Sequence, residues 1–266
     1  MGGQVRVSRH GDRRDVAEVV LDRPDALNAL STAFAAHLRD TVRELIGEAE
    51  TGAVRAVVVS SSQERAFCVG ADLRERNTFT DADLRSQRVV YRAMATALRE
   101  LPVPAVAAVA GYAMGGGFEL ALLCDLIVID PTAVLALPEV SVGVVPGLGG
   151  TQLLSRRVGL ARAGDLIFTA RRIDAAEAMA IGAADRLAGP GAARELAIEL
   201  AVTIAGHSPV GVRNAKRALR LGFDTDLAAG LEIEDAAWRA TAFSADRAEG
   251  VRAFVEKRRP DWPGTA

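Results

Sequence analysis

Residues 105–125 read AVAAVAGYAMGGGFELALLCD, and the fold turns on how this stretch is parsed. Residues 105–110 form a short apolar strand, and Gly111-Tyr112-Ala113-Met114 make a turn. Gly115, Gly116 and Gly117 follow, then an apolar helical segment whose one acid is Glu119. Three successive glycines at a helix start cost backbone entropy, so another requirement must hold them there. Bare backbone N–H groups at the positive end of a helix can approach a ligand atom closely. Glu119, one turn further on, is aimed at the same place. The plain alternative is a tight strand-to-helix turn beside a solvated glutamate.

Around this centre, 266 residues suit one large α/β domain with a helical appendage. Half the residues are hydrophobic, and 32 basic against 34 acidic residues leave a net charge of -2. No global field recruits nucleic acid or an anionic membrane. Cys68 and Cys124 sit in apolar surroundings without CxxC spacing, as reduced thiols of a cytoplasmic protein would. His10, His37 and His207 are scattered, so no metal is expected. The N-terminal MGGQVRVSRHGDRRD is polar and basic, with no apolar targeting core. Pro102, Pro104 and four glycines break the uncharged run between Glu100 and Glu119, which excludes a membrane span.

Along the chain, 16–21 is a strand, and Ser31 caps a helix reaching about Glu50. Residues 54–60 form a buried strand, giving a strand–helix–strand unit with parallel pairing. Residues 66–73 read as a small-residue loop, and 81–100 as a helix. Strands at 125–129 and 134–137 lead to Pro138-Glu139 and a glycine-rich loop. Seven helical segments then run to the C-terminus, the last from about 245 to 258, with Gly189-Pro190-Gly191 the nearest thing to a boundary.

There is no GxSxG elbow, GxxxxGK[ST] loop, HExxH pair or complete GxGxxG. Two glycine-bearing loops and two glutamates, Glu119 and Glu139, remain. Backbone N–H donors beside two carboxylates suit acid–base chemistry next to a carbonyl. The donors would hold an enolate oxyanion, with one glutamate as base and the other as acid.

Three segments carry a resemblance: 66–73 (AFCVGADL), 111–120 (GYAMGGGFEL), and Pro138-Glu139 followed by 146–152 (PGLGGTQ). They resemble the enoyl-CoA hydratase/isomerase (crotonase) family, in family order and spacing. The likeness runs from Leu21-Asp22-Arg23-Pro24 and 26–30 (ALNAL) to the FVEKR tail at 254–258. It implies an α/β, crotonase-like spiral of β-β-α turns over 1–190, with an all-helical oligomerisation region over 191–266. It implies an oxyanion hole from the N–H groups of Ala71 and Gly116, with Glu119 and Glu139 holding the water. Arg23, Ala26, Leu27, Arg74, Phe254 and Lys257 match positions that contact coenzyme A. The partners implied are an acyl-CoA thioester and further copies of the chain, as a trimer or dimer of trimers; no separate cofactor is required.

The implied reaction is hydration of a 2-trans-enoyl-CoA to a 3-hydroxyacyl-CoA, in the setting of fatty-acid β-oxidation. A methylglutaconyl-CoA-type hydratase and a Δ3,Δ2-enoyl-CoA isomerase are alternatives. An RNA-binding relative is the non-enzyme alternative, against which the charge balance and the lack of a lysine run argue. Leu135-Ala136-Leu137 departs from many family members, which bears on the acyl pocket. Cys68 reads as a buried small hydrophobe, and Trp238 and Trp262 as packing residues.

Overall fold

The computed structural model describes residues 3–264, so the outermost ends of both expected regions lie outside the described residues. The elements are β1 (Gln4–His10), β2 (Val16–Asp22), α1 (Thr32–Glu50), β3 (Ala56–Ser61), β4 (Ala66–Cys68), α2 (Leu73–Arg76) and α3 (Asp81–Glu100). The central stretch gives β5 (Ala105–Val109), β6 (Tyr112–Met114) and α4 (Gly116–Leu122), followed by β7 (Leu126–Ile129) and β8 (Val134–Ala136). Then come α5 (Gly150–Val158), α6 (Leu160–Thr169), β9 (Ile173–Asp174), α7 (Ala175–Ile181) and β10 (Arg186–Leu187). The helices α8 (Ala193–Ala205), α9 (Pro209–Phe223), α10 (Leu227–Ala242) and α11 (Ala245–Val255) complete the chain.

The strands sort into a six-stranded sheet, β1-β2-β3-β5-β7-β10, and a four-stranded sheet, β4-β6-β8-β9. Successive strands alternate between the sheets: β3 then β4, β5 then β6, β7 then β8. After the first two pairs a helix returns the chain, so each turn of a spiral reads strand, strand, helix. This is the β-β-α spiral expected of the sequence. The parallel β2–β3 pairing across α1 is also as expected.

Local chemistry sets the helix starts. Ser31 accepts a hydrogen bond from the Phe34 N–H at the head of α1. Thr80 and Asp83 form a reciprocal capping box on α3. Two short strands, β4 and β6, were not expected, since 66–73 read as loop and 111–114 as turn. With three residues each, they carry too little alternation to read, and their pairing is supplied by neighbours. The polar N-terminal segment is edge strand β1, antiparallel to β2, where only Val5 is buried. An edge strand with one covered face leaves little hydrophobic signature.

One face of the large sheet, with Ala17, Val19, Leu21, Val57, Val59 and Ile127, joins α1, α3 and the small sheet in the main core. The opposite face, with Val16, Ala56, Val58, Val106 and Val128, is covered by α8. That helix presents Ala193, Ala197, Ala201 and Ala205 at four-residue spacing, a smooth ridge that lets helix and sheet approach closely. The Gly189–Gly191 turn therefore leads straight into the layer that closes the sheet, and α9–α11 extend beyond it. Trp262 packs against Gly250 and donates to the Gly206 carbonyl, whereas Trp238 is largely exposed. No helix among the described residues is long and apolar enough to cross a membrane.

Candidate active site

In the small sheet, β4, β6 and β8 are parallel neighbours, so their carboxyl ends leave from one edge. Those ends deliver Gly70-Ala71, Gly115-Gly116 and Pro138-Glu139 side by side, as at the ligand-binding ends of other parallel sheets. Gly70 and Gly115 have φ of +84° and +52°, conformations that a side chain would strain. A Cβ on Gly70 would also come within 2.7 Å of the Met114 carbonyl oxygen. The two loops thus touch through bare backbone, which sets Ala71 beside Gly116.

The donor direction at Ala71 follows from its pairing. Leu30 bridges this segment in parallel: its N–H donates to the Gly70 carbonyl, and its carbonyl accepts from the Asp72 N–H. Alternate N–H groups of an extended chain point to opposite sides, so the Ala71 N–H points away from Leu30. Gly116 is the first residue of α4, where an N–H has no intrahelical acceptor. Both residues line a cavity of about 900 Å³ that also holds Glu119 and Glu139. The structure thus brings together all four residues read as oxyanion donors and acid–base groups.

The two carboxylates are held differently. Glu119 is buried on α4, and its Oε1 accepts from the N–H groups of Leu148 (2.6 Å) and Gly150 (2.8 Å). Burial raises its pKa, opposed by those two donors. A Cβ on Gly150 would lie 3.0 Å from that oxygen, so the glycine permits the contact. Glu139 opens a single 3-10 turn, and its Oε2 is buried without a hydrogen-bond partner among the described residues. Burial pushes Glu139 up to about 7, and the nearby Glu119 charge adds to the rise. Burial therefore raises both carboxyls, but Glu119 is braced by two amides that oppose the rise, whereas Glu139 Oε2 has no such donor among the described residues.

The positions matched to coenzyme A do not line this cavity. The Arg23 guanidinium bonds Asp72 and the Ala29 carbonyl, both at 2.7 Å, bracing the segment that carries Ala71. Leu27 has a left-handed backbone, and its carbonyl accepts from Val69, with Ala26 next to it in the same turn. Arg74 is exposed on α2, while Phe254 and Lys257 are exposed at the end of α11. Leu135, Ala136 and Leu137 are buried core residues outside the cavity lining, so their departure from the family does not shape its wall. Cys68 is buried as expected, its thiol pushed up to about 12 by burial. No group of three or more His, Cys, Asp or Glu among the described residues could hold a metal ion.

Sequence reasoning missed the opposite wall. Asp81, Leu84, Arg85, Arg88 and Tyr91 lie along one face of α3 and line the cavity, facing Val142, Val144 and Val145 of the loop after Glu139. The three- and four-residue spacing along α3 was the available signal, although nothing in it says that the face meets a cavity rather than solvent.

A family profile described as Enoyl-CoA hydratase/isomerase matches residues 11–265. YngF, a Bacillus subtilis (strain 168) protein named for enoyl-CoA hydratase/isomerase, is 41% identical over 94% of this chain and 95% of its own length. The human mitochondrial enoyl-CoA hydratase domain-containing protein 2 is 37% identical, covering 99% of this chain and 91% of its own. The crystal structure of an enoyl-CoA hydratase from Bacillus anthracis superposes with a TM-score of 0.94 at 37% identity, covering 98% of this chain and 99% of that one.

Proposed function

The chain belongs to the enoyl-CoA hydratase/isomerase family, and from that premise we propose that it hydrates 2-trans-enoyl-CoA thioesters to 3-hydroxyacyl-CoA. The supporting observation is that Glu119 and Glu139 line one cavity with Ala71 and Gly116. The thioester oxygen rests on the Ala71 and Gly116 N–H groups, which draw charge from C3. Water between the carboxylates attacks C3. Glu119, whose Oε1 is braced by the Leu148 and Gly150 amides, takes the water proton in its ionised form. Glu139, with its raised pKa, gives a proton to C2 as the enolate collapses. Proton exchange between the two glutamates restores the starting state, so the chemistry needs no separate cofactor.

Coenzyme A would lie along Arg23, Ala26 and Leu27, with Arg74 reaching its phosphates. Phe254 is 85% exposed, and Leu219, Phe223, Leu227 and Phe243 of the C-terminal helices are exposed as well. These apolar faces favour assembly as a trimer or dimer of trimers, in which Phe254 and Lys257 approach a neighbour's coenzyme A. Light scattering at micromolar concentration checks this, and a monomer counts against it. A cytoplasmic location fits the reduced, buried thiols of Cys68 and Cys124.

Isomerisation is the second reading, because one raised carboxyl such as Glu139 suffices to shuttle a proton between C2 and C4. Turnover of crotonyl-CoA and hex-3-enoyl-CoA in ¹⁸O-water separates the two. Hydration places label at C3 of a hydroxyacyl product. Conversion of hex-3-enoyl-CoA without label, together with inert crotonyl-CoA, would favour the isomerase.

A further inference from the structure

The chemistry of the missed wall is unusual for a pocket expected to hold a hydrocarbon chain. Arg76, Arg85 and Arg88 all line the cavity. None of them forms an ion pair among the described residues. Arg76 stacks 5.4 Å from the Tyr91 ring centroid and donates to the Gln87 side chain at 2.8 Å. Arg88 spends one N–H on the Gly147 carbonyl, which fixes its guanidinium across the cavity from α3 and leaves four donors. Arg85, one turn earlier on the same face, has no side-chain hydrogen bond of its own among the described residues. Asp81 at the rim is the acid on this face, and it pairs with neither.

The position of this wall says what it meets. With the thioester oxygen on Ala71 and Gly116, C2 and C3 face the glutamates, so the acyl chain beyond C3 runs on past them. Arg88 is close enough to Glu119, and Arg76 to Glu139, to lower their pKa values electrostatically. The loop that Arg88 grips is the one whose Leu148 and Gly150 amides hold Glu119. The cations therefore share the cavity with the glutamates, so an acyl group that runs on along the α3 wall meets them.

We propose that Arg85 and Arg88 recognise a carboxylate at the distal end of the acyl group, so that the preferred substrate is an enoyl-CoA bearing a second carboxylate. The proposal rests on the reading of the cavity as an enoyl-CoA site. A guanidinium matches a carboxylate in a two-pronged geometry that an aliphatic chain cannot use. Val142, Val144 and Val145 opposite would cover the methylene or branched carbons between the thioester and the distal acid.

The test is a binding measurement that needs no turnover. Glutaryl-CoA, which ends in a carboxylate, and butyryl-CoA, which does not, are titrated calorimetrically into the intact protein at low and moderate salt. Glutaryl-CoA should bind on the order of tenfold more tightly, with the gap narrowing as salt rises. Arg85→Gln should close most of that gap, Arg88→Gln should close it further, and Arg88→Lys should keep more of it than Arg88→Gln. Equal affinities in the wild-type protein would overturn the proposal while leaving the enoyl-CoA reading intact. Equal weakening of both esters by Arg85→Gln would also overturn it, placing the cations on the coenzyme A phosphates. Failure of both esters to bind would overturn the enoyl-CoA reading itself, and the proposal with it.

Discussion

Glu18 and Glu139 are carboxyls sunk into opposite regions of this molecule, and they are treated in opposite ways. Glu18, fully buried on the α8 side of the large sheet, accepts from Arg194 at 2.5 and 2.7 Å, from Ser60 at 2.6 Å and contacts His10 at 2.7 Å. Burial alone would push its pKa up, but the bonds to Arg194, Ser60 and His10 outweigh burial and hold it below the ordinary value. Glu139 has a buried Oε2 with no partner among the described residues, and burial takes it up to about 7. In one region a buried charge is satisfied for the sake of the fold. In the other it is left unsatisfied, which costs stability and supplies a group that titrates near neutrality.

The contrast can be broken at several points. The largest effect is expected at Gly117, where a Cβ would lie 1.9 Å from the Cys68 carbonyl oxygen. Gly117→Ala should destabilise the fold by at least ~3 kcal/mol, read as a loss of soluble protein or a collapse of the thermal transition.

Glu18→Gln comes next. It leaves Arg194 short of its counter-charge, and because that arginine is partly exposed and can rehydrate, the loss should be about 2 kcal/mol, or roughly 4–8 °C in Tm. Since the folded pKa lies below the ordinary 4.5, the contribution is present above that value and lost as pH falls through the folded pKa. The gap between wild type and variant should therefore be full at pH 7 and shrink in acid. A gap that grew in acid would mean that Glu18 is not held as an anion.

Glu139→Gln should have the opposite sign and a smaller size. A carboxyl raised from 4.5 to about 7 contributes stability in acid that is lost as pH rises through about 7. Replacement by a neutral amide should leave Tm nearly unchanged near pH 5 and raise it by a few degrees near pH 8. After allowance for solvent screening of a partly buried side chain, that corresponds to about 1 kcal/mol. A lower Tm at pH 8 would show that Glu139 is paired in solution.

How far the sequence could be read follows from the same division. Long elements with full periodicity were legible: α3 starts at Asp81 and ends at Glu100, and Ser31 caps α1 as expected. The glycine run marked the start of α4 because Gly115, Gly116 and Gly117 have no other reason to stand together. The short strands β4 and β6 stayed hidden because three residues hold less pattern than the pairing that defines them. Glu119 and Glu139 could be named from motif spacing, but their different settings could not. The two amides on Glu119 come from residues about thirty positions away, and the burial of Glu139 Oε2 away from any donor among the described residues exists only after folding. The α3 wall was invisible as a site for the same reason: arginines on an exposed helix face read as solvated until folding sets another loop across the cavity from them.

The central claim is that both glutamates act in one hydration. Steady-state loss of enoyl-thioester absorbance with crotonyl-CoA, measured for wild type, Glu119→Gln and Glu139→Gln, tests it most directly. Each variant should lose ~10²–10⁴-fold in kcat, with little change in affinity for the coenzyme A ester. A Glu139→Gln enzyme that hydrated crotonyl-CoA at near wild-type rate would contradict the account and leave a one-glutamate proton transfer as the reaction of this site.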